Sequence, residues 1–560
     1  MIGLPHLTSW ATTAVGGAPV QPAFENRTAT IINLASIRVA PRRLRRISQQ
    51  DRPPVASTRR GLVAAVTAAV IVLLAGCAAG PNFERPSAPD IRGYTREPLP
   101  AQTASADIAG GKAQRLVQGR DIPGQWWTLF HSPPLNALIE QSLKANPSLE
   151  AAQAALRQAQ ENVYAQEGFF YPNIQASFSA SRQKNATSTI SPTLTSGAPL
   201  FTLYTPQVSV SYTLDVWGGN RRQVESLKAQ ADALQFQLEA TYLTLTSNVV
   251  AAAVQEASLR AQIAATREVI RIESEQLEVM RSQYTLGAIA MADVVAQEAT
   301  LAQTEATLPS LQKQLAQQRD LLAALAGRFP IAEPDDKFEF STLELPEDLP
   351  LSLPSELVEQ RPDVRSAEAQ LHAASAQVGV AIANQLPQIT LSASGGSTAT
   401  QISQLFTSGT GFWSLAGALT QPLFDGGTLL HRKRAADAAL EQAAAQYRST
   451  IITAFQNVAD VLHALHYDAT ALNASLRAER AAAASLDIAR RALELGSISY
   501  LSLLNAEQTY QQTVIPLAQA RANRYADTAA LFQALGGGWW NRGDVASVEA
   551  ETSDAGHPSK

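Results

Sequence analysis

Cysteine is almost absent from this 560-residue chain: Cys77 stands alone, which excludes an internal disulfide framework and any cysteine-built zinc site. Charge is sparse too, with 17% Asp, Glu, Lys and Arg and a mild net charge of -5. With no basic excess, nucleic acid is not an expected partner. No glycine loop of phosphate-cradling form precedes a lysine, and no serine lies in a nucleophile elbow or a spaced triad. His463 and His466, between Asp460 and Asp468, are read as ordinary residues of a long helix rather than metal ligands. The chain is therefore not expected to be an enzyme or to hold a metal.

The apolar run Leu62–Leu74 is too short for a comfortable membrane span. Arg59 and Arg60 precede it and Leu74-Ala75-Gly76-Cys77 ends it, the layout of a secretory signal. That ending resembles a bacterial lipobox, which implies removal of residues 1–76 and lipid on Cys77 as the only attached group, with no other cofactor. Ala78 stands where an aspartate would favour inner-membrane retention, so delivery to the outer membrane is expected. Residues 1–57 show no core periodicity and are left out of the fold.

What is present is helix on an unusual scale. From Asn220 to Tyr284 there is neither proline nor glycine, and apolar side chains such as Val224, Leu227, Ala231, Leu234 and Leu238 recur about every 3.5 residues. At roughly 1.5 Å per residue this helix reaches about 100 Å and cannot bury its stripe inside its own globule. Leu286-Gly287-Ala288 permits a reversal, and a second helical pattern returns from Met291 to Ala326.

The plan recurs. Asn146-Pro147 and Tyr171-Pro172 are matched by Arg361-Pro362 and Leu386-Pro387, while Gly287 pairs with Gly496 and Gly327 with Gly536, both 209 positions on. Between each helix opening and its long helix lie two segments of period two, expected as strands over about 172–183 and 204–216, then 387–396 and 411–424. The last alternates less cleanly, with Gly417 blurring it. The expected organisation is a leader and signal over 1–76, and an anchor with an extended wrapping segment over 77–133. Repeat 1 covers 134–328, a linker 329–354 and repeat 2 355–538. A C-terminal segment and tail take 539–560, with Ser547–Lys560 disordered.

Four strands leave two open edges, and unpaired backbone groups cannot face hydrocarbon, so they must close with strands of other copies. Two copies make eight strands around a filled interior; three make twelve, wide enough for a polar lumen.

Motifs in order carry a family likeness: Gly76-Cys77 before Gly80-Pro81-Asn82-Phe83, Asn146-Pro147, Tyr171-Pro172, Leu214-Asp215-Val216-Trp217-Gly218, Arg361-Pro362-Asp363, Gln421-Pro422-Leu423-Phe424-Asp425-Gly426-Gly427 and Ala534-Leu535-Gly536-Gly537-Gly538-Trp539. The chain resembles the TolC-type outer-membrane efflux factors, in their lipidated, OprM-like branch. That resemblance implies a mixed α/β membrane protein, mainly α. A homotrimeric 12-stranded β-barrel would continue as a 12-helix periplasmic α-barrel, with two structural repeats per chain. It implies a passive exit duct for small molecules in the outer membrane, served by a periplasmic adaptor (membrane fusion protein) and an inner-membrane pump of the RND type. Trp126 and Trp127 are expected as packing of the equatorial collar.

Carried onto this sequence, the adaptor-docking tips are Tyr284, Leu286, Gly287, Ala288 and Ile289 with Leu495, Gly496, Ser497 and Ile498. The gate follows the second tip. Ser502 and Asn505 stand where family members carry carboxylates, so the expected closure is Tyr500 packing with Leu501, supported by Asn505, and Asp293 is the nearest aspartate. Two other readings fit parts of the pattern: the duct of a type I protein secretion system, and a coiled-coil lipoprotein adaptor or scaffold without a pore.

Overall fold

The computed structural model describes residues 78–91, 93–98, 100–184, 200–332 and 336–543. Cys77, residues 1–57 and the tail from Ser547, for which the sequence carries expectations, lie outside these.

A short strand β1 (Arg115–Gln118) leads through a 3-10 turn at Trp126–Phe130 to helices α1 (Pro133–Ala145) and α2 (Pro147–Glu167). Asn146 opens α2: its side-chain oxygen accepts the Ser148 N–H at 2.9 Å, and Pro147 supplies the fixed φ of a first helical turn. Strands β2 (Asn173–Lys184) and β3 (Leu200–Leu214) follow, then the 67-residue α3 (Gly219–Thr285) and the 35-residue α4 (Met291–Leu325). A short strand β4 (Asp348–Leu351) pairs in parallel with β1, and α5 (Pro354–Gln360) follows. Then come α6 (Pro362–Ala383), β5 (Gln388–Ser397), β6 (Gly411–Thr420), α7 (Thr428–Glu494, again 67 residues) and α8 (Tyr500–Ala534, again 35).

Three strand limits differ from expectation. β3 begins at Leu200, paired with Lys184, rather than at about 204. β3 stops at Leu214 because the Asp215 carboxylate turns back to accept the N–H groups of Asn220 and Arg221 at 2.9 and 3.0 Å, capping α3. β6 stops at Thr420 rather than Phe424. Pro422 has no N–H for the ladder, and the Gln421 side chain instead donates to the Gln385 carbonyl at 3.1 Å. Asp425 repeats the Asp215 device on α7, accepting from Gly427 and Leu429.

The four long strands form one antiparallel sheet, ordered β2-β3-β5-β6. Its register sorts the faces. Ile174 lies beside Val210, Val210 beside Ala393 and Ala393 beside Leu415; Ala176, Val208, Gly395 and Trp413 make the next row. The opposite face carries Gln175, Ser209, Ser394 and Ser414, with a 2.8 Å hydroxyl contact between the last two. Gly417 falls in the apolar rows beside Leu391, which settles the ambiguous alternation of β6. Ile174 is 70% and Trp413 82% exposed, and among the described residues both outer strands keep an unpaired edge.

The main core gathers Trp126, Trp127, Phe130, Phe338, Tyr525 and Phe532 with buried residues of the long helices. Trp126 and Trp127 are fully buried, and Trp126 stacks on Phe532 with 5.2 Å between centroids. Tyr525, also fully buried, donates its hydroxyl to the Leu343 carbonyl at 3.0 Å. The hairpins pack by their seams, α3 against α4, α6 and α8, and α7 against α8. Among the described residues, no helix is long and apolar enough to cross a membrane.

Candidate functional site: the hairpin ends

Both hairpins reverse by the same hydrogen bonds. Gly287 N–H donates to the Tyr284 carbonyl and Ala288 N–H to that of Gln283, both at 2.9 Å; Gly496 and Ser497 donate to Leu493 and Ala492 at the same distances. These are Schellman closures, which need a left-handed residue, and the glycines supply φ of 75° and 69°. Apart from their chain neighbours, no atom of the described residues lies within 4 Å of where a Cβ would stand, so the backbone conformation demands glycine there.

The expected tip residues divide into two groups. Tyr284, Leu286, Gly287, Ala288, Leu495, Gly496 and Ser497 are exposed, with Leu286 and Leu495 each at 83%. Ile289 and Ile498 are not part of that surface. Each precedes a helix N-cap and tucks into the apolar cluster holding Val294 or Leu503, the fourth residue of the new helix, as a hydrophobic staple.

The residues expected at the gate have different surroundings within the chain. Asp293 accepts the Ala290 N–H at 3.3 Å, and Ser502 meets the Ser499 hydroxyl at 3.0 Å, so both serve the first turn of their helices. Leu501 is 65% exposed and Asn505, one turn on, is exposed as well. Tyr500 points elsewhere. It packs against the Leu486–Ala489–Leu503–Ala506 cluster of the second hairpin and the Leu277–Met280–Val294 cluster of the first. Within the chain it is a seam residue between hairpins.

Three residues beside Tyr500 escaped the sequence reading. Glu273 on α3 and Gln297 on α4 are fully buried, and Glu507 on α8 is 2% exposed. Burial, and then repulsion from Glu273, pushes the Glu507 carboxyl up to about 7; burial also raises Glu273. A usable signal existed, since Val269, Glu273 and Leu277, like Leu503 and Glu507, step by four along buried faces.

At the opposite end, where sheet meets helices, the first described residues are clamped. Ala79 donates its N–H to the Trp217 carbonyl at 2.9 Å, and the buried Arg222 reaches the Ala79 carbonyl at 3.1 Å and the Asn82 side chain at 2.7 Å. Gly379 lets this segment lie close, since a Cβ there would stand 2.8 Å from the Ala79 oxygen. A cavity of about 530 Å³ opens nearby, lined in part by Tyr171, Asn173, Trp217 and Asn384.

Residues 138–328 and 353–537 match the family described as outer membrane efflux protein. The chain belongs to that family. This outer membrane efflux protein is 30% identical over 447 residues to the pyoverdine export outer membrane protein OpmQ of Pseudomonas putida, covering 79% of this chain and 94% of that one. It is 28% identical to the probable outer membrane lipoprotein SilC of Salmonella typhimurium, over 84% of this chain and 97% of SilC. The solved outer-membrane channel OprN superposes with a TM-score of 0.72 at 28% identity, covering 83% of this chain and all of OprN. The outer membrane efflux protein is thus a mainly helical outer-membrane channel of an efflux system, and not an enzyme.

Proposed function

We propose that three copies of this outer membrane efflux protein join their sheets into a twelve-stranded barrel and their hairpins into a twelve-helix periplasmic tunnel, a passive exit for small molecules. The carrying observation is the open four-stranded sheet, with apolar residues in register on one face, small polar ones on the other and an unpaired strand at each edge. Hydrocarbon can accept that apolar face only once the edges are closed, and twelve strands leave room for the polar face to line water. The two sequence halves act as equivalent repeats in this reading, so six hairpins ring the tunnel. An RND-type inner-membrane pump supplies the energy. Its periplasmic adaptor docks on the exposed tip residues around Gly287 and Gly496. Leu501 rings the axis as an apolar constriction, with Asn505 one turn behind it and no carboxylate ring. Lipid on Cys77 anchors the segment whose next residues are held at Trp217. A small-molecule cargo is favoured because OpmQ is named for export of pyoverdine.

The mature protein purified in detergent should migrate as a heat-modifiable trimer, cross-link to three subunits and form conducting channels in planar bilayers. A water-soluble monomer without conductance would overturn the reading.

A further inference from the structure

We propose that Glu273 and Glu507 form a proton-operated latch between the two hairpins near their tips. The two carboxyls belong to different hairpins, on α3 and α8, and these helices pack directly against each other. Among the described residues neither makes an ion pair, and no donor reaches either oxygen of Glu507. The surroundings are otherwise tied together. Gln297 donates to the Glu273 carbonyl at 3.2 Å, and Gln511 of α8 donates to the Thr304 hydroxyl of α4 at 3.0 Å, so the seam is packed rather than frayed.

Every element around the pair contributes a group that acts on it. From α4, Glu305 opposes charge on Glu273 and the Thr304 hydroxyl favours it; from α7, Arg490 is the one cation among the described residues that favours charge on Glu507. On α8 the Tyr500 hydroxyl lies in the field of Glu507, Asp293 and Glu273, with Gln276 of α3 beside it. Arg490 thus offsets charge on Glu507, while Glu273 is opposed by Glu305 and favoured, among the described residues, only by the Thr304 hydroxyl. Burial and mutual repulsion oppose holding both carboxyls ionised unless water enters or the helices part, whereas one proton between them removes the conflict.

The direction follows from linkage. Opening exposes Glu507 to water, where its carboxyl returns from about 7 toward 4.5. The closed seam then binds the extra proton between those values. Closure is fully favoured on the acid side and is lost as pH rises through about 7, by at most about tenfold per pH unit for one proton. The tunnel consequence rests on the duct reading; the latch itself does not.

The test reads hairpin separation directly. Spin labels on Val279→Cys of α3 and Ile488→Cys of α7, both exposed positions, report the distance between hairpins in the intact protein, with signal from Cys77 in the unsubstituted protein subtracted. From pH 5 to 9 the distances should lengthen with a midpoint near 7, while Glu507→Gln and Glu273→Gln remain short throughout. Distances independent of pH would overturn the latch. So would a Glu507→Gln protein that keeps the pH response, or separation that answers to magnesium at fixed pH and not to protons. No conductance enters the measurement, so a protein that failed as a duct would leave the latch standing, and a failed latch would leave the duct standing.

Discussion

Tyr500 and Leu501 are neighbours in sequence with opposite surroundings, so exchanging each for alanine separates two roles. Tyr500 lies half-buried between the Leu486–Leu503 cluster of its own hairpin and the Leu277–Met280–Val294 cluster of the other. A fully buried aromatic cut to alanine costs about 3–5 kcal/mol, and a half-buried one about 2 kcal/mol. If that energy holds the hairpins together, its loss shifts the closed–open balance about thirtyfold toward opening. Leu501, 65% exposed, contributes under about 0.5 kcal/mol to the single chain, but its side chain narrows the proposed constriction. In planar bilayers Tyr500→Ala should lengthen open dwell times at unchanged unitary conductance, whereas Leu501→Ala should raise unitary conductance at unchanged dwell times. Tyr500→Phe keeps the ring and should behave as the native protein. If Tyr500→Ala is silent, or both alanine variants act alike, the seam assignment fails. If Tyr500→Phe copies the alanine, the hydroxyl rather than the ring holds the hairpins.

Valine at Gly287 or Gly496 meets no neighbouring atom but must adopt φ near 70°, a strain of about 1–2 kcal/mol. Pull-down by an adaptor hairpin should weaken while trimer yield stays constant. Arg222→Ala leaves the Ala79 and Asn82 oxygens without their donor and Glu225 without its 2.7 Å partner, so limited proteolysis should release the segment before Phe83 sooner than in the native chain. Burial, and then the nearby Asp468, raises the Asp527 carboxyl. A carboxyl held protonated more tightly in the folded form stabilises it most in acid and progressively less as pH climbs from the ordinary carboxylate range toward neutrality. The melting temperature should therefore fall over that range, and Asp527→Asn should flatten the fall.

The long helices were the most readable part of the chain because two strong signals coincide there. A seam expected over Asn220–Tyr284 lies within the observed Gly219–Thr285, since glycine and the Asp215 cap punctuate one end and the Gly287 reversal the other. Strand limits were harder, because Asp215 and Gln421 leave the sheet through side-chain bonds to residues 5 and 36 positions away, which a period of two does not register. The β6 face emerged only through pairing: Gly417 has no side chain to declare a side until Leu391 stands opposite.

At the candidate site, the heptad-like period says that one stripe of α8 is buried but not which neighbour covers its flanks. Successive residues on a helix turn by about 100°, so if Tyr500 enters the seam Leu501 cannot follow it. Within one chain the two residues therefore face different surroundings, Tyr500 the seam and Leu501 the outside. The same reasoning, applied four residues at a time, leads from Leu503 to Glu507 and from Val269 to Glu273, acids at positions where the pattern calls for apolar side chains. An acid that interrupts a buried stripe marks a place where packing alone does not set the stability of the contact. Here the stripe is also the boundary between two hairpins, so the contact most open to adjustment by solution conditions lies beside the turns proposed to receive the adaptor.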